Sequence, residues 1–327
     1  MLQDLDTATV YTPLPTVARS REVVLSPTAR AVVRTLLYFD IFKHPLRKEE
    51  LKAFSHLRTD ERADLNAALN QLLQAGLVVE ADSHFALSEA GERTARRARH
   101  AQRAKERMAK ALHNSTLIGS FPFVRAVMLS GSISKGVLDE EGDIDYFIIT
   151  APRRLWVART LLVLYKKLFL LNSRRDFCVN YFIDTEHLAI EDRNLFTATE
   201  VVTLVPTYGA QLCRDFFRAN HWAFDRFPNM PMERPMPQEP EASRWKSRSE
   251  RMLRSGVGEW FDDAFMRLTY MRWRRKFGGL DERTFELALR TRKYVSKHHP
   301  QGFQQRVLDA LSERIAHFEA QHGLSLA

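Results

Sequence analysis

The chain has 327 residues, 45% apolar and 27% charged, with a formal charge of +9 and two cysteines. That length fits two or three domains, the apolar share is that of an ordinary globular protein, and the positive balance favours anionic partners: nucleotides, nucleic acid or an acidic surface. Cys178 and Cys213 lack metal-ligand spacing, which argues against a zinc or disulfide scaffold and suits a reducing, cytoplasmic setting.

Residues 1–25 read as a flexible arm with mixed Thr and Pro, lacking the basic start and apolar core of a signal peptide. A first unit is expected over residues 26–92. Ser26 is placed to cap a helix that Pro27 opens, with Val32, Val33, Leu36, Leu37 and Phe39 as its apolar stripe. A second helix follows His44-Pro45 through Leu46, Leu51 and Phe54. A third runs from Asp60 to Ala75 and stops at Gly76. Leu77–Glu80 and His84–Leu87, split by Ala81-Asp82-Ser83, form a short hairpin. This order of elements resembles a winged-helix domain, which implies either DNA binding or protein contacts. The third helix carries Asp60, Glu61 and Asp64 beside Arg62, and its polar face is mostly Asn and Gln. So few cations neutralise phosphates poorly, and an intramolecular or substrate-positioning role is expected.

A connecting helix is expected over residues 93–118. Arg93, Arg96, Arg97, Arg99, Arg103, Lys105, Arg107 and Lys110 face only Glu92 and Glu106, with alanines between them. The segment Arg93–Lys110 is a candidate grip for nucleic-acid phosphates or a solvated face. It contains no aromatics for stacking single-stranded bases.

The next unit, residues 119–225, carries the most informative stretch: Leu129-Ser-Gly-Ser-Ile-Ser-Lys-Gly136, then Gly142-Asp-Ile-Asp-Tyr-Phe-Ile-Ile149. A Gly-Ser turn ends one apolar run, and two carboxylates then enter a second. In a strand Asp143 and Asp145 share a face and Ile144 points into the core. Paired carboxylates repel unless compensated, and a divalent cation that also takes phosphate oxygens is the natural compensator. The glycine spacing fails a P-loop, because Val137 and Leu138 follow Gly136, and neither Ser132 nor Ser134 is framed as a nucleophile elbow. The pattern resembles the DNA polymerase β-like nucleotidyltransferase superfamily, on Gly131-Ser132, Gly136 and Asp143-Ile-Asp145. The resemblance implies an α/β (α+β) fold with a mixed sheet flanked by helices. It also implies Mg²⁺ or Mn²⁺ on Asp143 and Asp145, and a nucleoside triphosphate, ATP by expectation, on Gly131, Ser132, Ser134, Lys135 and Gly136.

The superfamily usually places a third acid on a nearby strand, and here the candidates are Asp176, Asn180 and Asp184, which share parity in a regular strand. Mid-strand placement points to Asn180, which supplies no charge and cannot act as a base. Asp176 serves if the strand begins at the site, and Asp184 is equally an N-cap for the residues after it.

Between these strands, Leu155–Leu171 is too short and too charged for a membrane span and reads as a helix buried on the sheet. Asp192–Val205 reads as a helix closed by Pro206, and Gln211–Phe224 as another. Thr197, Thr199, Glu200 and Asn220 are secondary candidates for a pocket lining. Residues 226–243 form a proline-rich connector, and residues 244–327 a C-terminal helical domain with Trp260, Phe261, Phe265, Leu268 and Trp273 as a core stripe.

The expected function is transfer of a nucleoside monophosphate from a triphosphate to an acceptor: a small molecule, a protein or an RNA. Two alternatives stand beside it. One is a nucleic-acid-binding regulator with a catalytically weak nucleotide-sensing domain, and the other is an antitoxin-like partner protein.

Overall fold

A computed structural model describes residues 24–57, 62–171, 175–238, 243–298 and 302–326. Nearly all of the expected arm, and the start of the third helix at Asp60 and Glu61, lie outside these residues. The fold is mixed α/β, with a three-stranded and a six-stranded sheet.

The Ser26 hydroxyl accepts from the Ala29 N–H at 3.1 Å, and Pro27 opens α1 (Pro27–Asp40). Then come β1 (Leu46–Arg47), α2 (Lys48–Ala53), α3 (Arg62–Gln74) and the hairpin β2 (Val79–Ala81) and β3 (His84–Ala86). The sheet order is β1-β3-β2, antiparallel throughout. Gly76, at φ +67°, ends α3: its N–H reaches the Leu73 carbonyl and the Leu77 N–H the Leu72 carbonyl, each at 3.0 Å.

The basic helix is α4 (Ala90–Ser120). Its cations turn largely inward. Arg93 pairs with Asp40, Arg96 donates to the Phe42 and Lys43 carbonyls, and Arg97 holds both Glu50 oxygens. Further along, Arg103 meets Glu140, and Arg107 and Lys110 both hold Asp176. The helix is a strut between the N-terminal layer and the large sheet, and these residues already have protein partners.

That sheet is built from β4 (Val124–Ser130), a one-turn helix α5 (Gly131–Ser134), β5 (Asp145–Thr150), α6 (Leu155–Phe169), β6 (Cys178–Asp184), α7 (Leu195–Thr203) and β7 (Val205–Tyr208). Helices α8 (Ala210–Ala219), α9 (His221–Arg226), α10 (Arg244–Met252), α11 (Gly256–Lys276) and α12 (Glu282–Ala288) follow. Strands β8 (Thr291–Arg292) and β9 (Val295–Lys297) and helix α13 (Phe303–His322) close the chain. The strand order is β7-β4-β5-β6-β9-β8, with β5 and β6 parallel and every other pair antiparallel. Alternation along the strands gives each face its own core. Val127, Leu129, Tyr146 and Ile148 pack with α4 and α6, while Met128, Phe147 and Ile149 pack with α7 and α8.

Several expectations need correction. Pro206 does not close a helix: α7 ends at Thr203, and Pro206 sits in β7, the sheet's edge strand, where proline is tolerated. The helix starts at Leu195 rather than at Asp192, and Asn194 caps it by accepting from the Thr197 N–H at 2.9 Å. The helix expected over Gln211–Phe224 breaks at Asn220, whose fully buried amide bonds Ile190, Leu188 and Phe216 backbone groups; it is a structural plug, not a pocket lining. The C-terminal segment is not wholly helical, since β9 pairs with β6. Helix α13 instead returns to the first layer, where Val307, Leu311 and Phe318 join the α1 core and Arg314 pairs with Asp40. On α6, Leu164, Leu168 and Phe169 are exposed, so that helix is buried on one side only. On α11, Trp260 and Leu268 are 65% and 58% exposed, so the expected core stripe is only partly core. Among the described residues no helix is long and apolar enough to cross a membrane.

Candidate functional site

The end of β4 and the start of β5 bring the two halves of the motif together. Ser130 lies opposite Asp145 in the antiparallel register. The next residue, Gly131, adopts φ +68°, and a Cβ built on it would lie 2.5 Å from the Asp145 Oδ2. Glycine is needed there twice, for the left-handed backbone and for the close approach of the carboxylate. Gly136, at φ +72°, ends the turn in open space. Asp143 lies just before β5, and the buried Ile144 between the two acids is held by backbone bonds to Arg175 and Cys178, each at 3.0 Å.

Asp145 is 7% exposed. Burial pushes its carboxyl up to about 7; the Cys178 thiol and Lys135 act in the opposite direction, while Asp143 and Glu200 add to the rise. The Asn180 Nδ2 donates to the Asp145 Oδ1 at 2.9 Å, and the Cys178 Sγ donates to the Asn180 Oδ1 at 3.1 Å. Burial and the neighbouring carboxylates raise the Cys178 thiol strongly, which keeps it a proton donor rather than a nucleophile. Lys135 donates to the Gly131 carbonyl at 3.0 Å and pairs with Glu200 of α7 at 2.8 Å. The Ser134 hydroxyl is turned onto the Gly131 carbonyl at 2.9 Å, and the Ser132 carbonyl accepts from the Lys135 and Val137 N–H groups.

Asp143, Asp145, Asn180, Lys135 and the Gly131 turn therefore converge. The other third-position candidates do not. Asp176 precedes β6, and Arg107 and Lys110 hold its carboxylate. Asp184 pairs in register with Thr150, five residues beyond the Asp145 position and roughly 16 Å along the strand. It is 3% exposed, accepts from the Glu186 N–H at 3.0 Å, and braces His187 at the rim of a separate cavity of about 220 Å³. The expected shared face of Asn180 and Asp184 is lost because the register of β6 shifts at Asn180: Val179 and Phe182 pack on one face, Tyr181 and Ile183 on the other. Thr199 is buried and bonds the Leu195 carbonyl, whereas Glu200 acts on the site. Cys178 is a site neighbour that the sequence pattern did not single out, since it lies outside the motif, whereas Glu200, a secondary pocket candidate, reaches the site through Lys135.

Hard carboxylate oxygens from Asp143 and Asp145 suit Mg²⁺ or Mn²⁺, and the negative charges of Asp143 and Glu200 beside Asp145 favour an added cation there. Among the described residues no group of three or more His, Cys, Asp or Glu side chains has metal-holding geometry. Two carboxylates suffice only where phosphate and water supply the remaining ligands, as Mg²⁺ commonly allows. No protein-family model, curated protein or solved structure matches the chain.

Proposed function

We propose that the chain is a metal-dependent nucleotidyltransferase of low turnover, with a nucleoside triphosphate bound at the Gly131 turn against Asp143 and Asp145. The observation that carries this reading is the approach of Gly131 to Asp145, which sets a bare backbone turn beside the carboxylate pair. The antiparallel β4–β5 pair followed by the parallel β5–β6 pair supports it.

Asp143 and Asp145 would hold a divalent ion, which when bound would neutralise triphosphate charge. Gly131 lets the Asp145 carboxylate close on the turn, so that a phosphate bound there meets bare backbone beside the acids, and Lys135, paired with Glu200, flanks the same turn. In the transfer an acceptor oxygen forms a bond to the α-phosphorus, the α–β bridging P–O bond breaks, and pyrophosphate leaves. The acceptor's proton needs a base. Asn180 is not one, and Glu200 is engaged by Lys135; turnover is accordingly slow.

The Asn180–Asp145 bond also favours a second reading, a nucleotide sensor without transfer. The N-terminal layer fits a winged helix used for intramolecular contacts, because α4 and α13 are bound against it. Incubation with each labelled nucleoside triphosphate, Mg²⁺ or Mn²⁺ and a cell extract tests the choice. Label on an acceptor supports the transferase. No labelled product, with nucleotide binding intact, supports the sensor.

A further inference from the structure

Nine of the thirteen exposed large apolar side chains among the described residues lie on α6, α10 and α11. On α11 they are ordered: Val257, Trp260, Leu268 and Met271 recur at helical spacing and are each 57–65% exposed. Leu164 and Leu168 form a second, shorter row on α6, against which α11 packs. The assembly is braced. Arg154 donates to the Leu253, Arg254 and Ser255 carbonyls at the α10–α11 junction, and the Asp262 carboxylate accepts the Trp156 and Val157 N–H groups at 2.8 and 3.0 Å. These outward apolar side chains therefore sit on fixed helices.

The charges beside them have one sign. Residues 244–276 hold ten Lys and Arg against four Asp and Glu. The four acids are engaged: Glu250 by Arg125, Glu259 and Asp263 by Lys293, and Asp262 by the α6 backbone. Arg267, Arg272 and Arg275 are exposed and form no ion pair among the described residues. Exposed Trp, Leu and Met flanked by unpaired cations match the boundary of an anionic bilayer, where aromatic and aliphatic side chains enter the headgroup layer and cations meet lipid phosphates. A second copy laid on the same stripe would set arginine against arginine, which disfavours self-association.

We propose that this face, α11 together with the outer side of α6, docks peripherally on an anionic phospholipid surface without crossing it. The full-length protein is sedimented with phosphatidylcholine vesicles and with vesicles of equal parts phosphatidylcholine and phosphatidylglycerol. Binding is expected to the anionic vesicles only and to weaken as salt rises. Arg267→Glu with Arg272→Glu should weaken it about thirtyfold or more, at about fivefold for each cation removed. Trp260→Ser with Leu268→Ser should weaken it at least about tenfold through lost apolar burial. Both positions of each pair are exposed, and thermal melting checks that the variants fold. No binding to anionic vesicles, or unchanged binding by the Trp260→Ser/Leu268→Ser variant, overturns the proposal. So does a wild-type dimer in sedimentation velocity that the same variant converts to monomer, since a second copy would then cover the face.

Discussion

The Asn180 side chain donates its amide to the Asp145 carboxylate at 2.9 Å, and this one bond occupies the place where a third acid was sought. It partly satisfies a buried carboxylate without adding charge. On the proposed reading, this suits the site to holding a nucleotide more than to activating an acceptor.

Replacing Asn180 by Asp exchanges that donor for a second negative charge. Without metal, Asn180→Asp should destabilise the fold by about 1–3 kcal/mol through a lost hydrogen bond and like-charge repulsion. Mn²⁺ should restore the melting temperature, and transfer in the labelled assay should rise. A variant that is as stable as wild type without metal and insensitive to Mn²⁺ would place residue 180 away from the metal.

Gly131 and Gly136 separate backbone strain from close approach. Both have positive φ, but only Gly131 has a neighbour where a Cβ would go. Gly136→Ala should cost about 1 kcal/mol of stability and spare nucleotide binding. Gly131→Ala should cost more, because its methyl group must displace the Asp145 carboxylate, and should abolish nucleotide binding. Ser132→Ala should lose only about 0.5–1.5 kcal/mol of binding. Melting curves and calorimetry on the three variants read this order.

The Asp145 carboxyl sits near 7 in the fold, against 3.8 as its ordinary value. A raised value means the folded state binds the proton more tightly than the unfolded chain. The stabilisation is therefore complete below about pH 4 and is lost as pH rises through about 7. In EDTA, Asp145→Asn should flatten the fall in stability between these limits. Parallel pH profiles for wild type and variant would contradict the burial of this group.

Asp176 is a structural acid in this account. Asp176→Asn leaves Arg107 without its carboxylate and Lys110 without its partner, and should destabilise the fold by about 1–3 kcal/mol, most of it from the half-buried arginine. Nucleotide affinity and turnover should stay at wild-type levels. A selective loss of turnover at unchanged stability would return Asp176 to the site.

The motif was legible because its chemistry is local: a glycine turn and two acids within one strand–loop–strand unit leave a pattern in adjacent residues. Helix α1 was legible for the same reason, through Ser26 and Pro27. What was hidden depends on distant partners. The register shift at Asn180, the pairing of β9 with β6, and the bracing of Asp40 by both Arg93 and Arg314 have no local signature. Pro206 misled because a proline reads as a helix stop whether or not it lies on an edge strand. The cations of α4 were countable in the sequence, but their inward direction was not.

The central claim is that Asp143 and Asp145 hold a divalent metal with nucleotide, and calorimetric titration of Mg²⁺-ATP tests it most directly. Wild type and the Asp143→Asn/Asp145→Asn variant are titrated with and without Mg²⁺, with melting curves confirming the fold. The account predicts Mg²⁺-dependent binding by wild type and at least about a hundredfold weaker binding by the folded variant, from losing both ligand charges. Equal Mg²⁺-ATP affinity in the two proteins would contradict it.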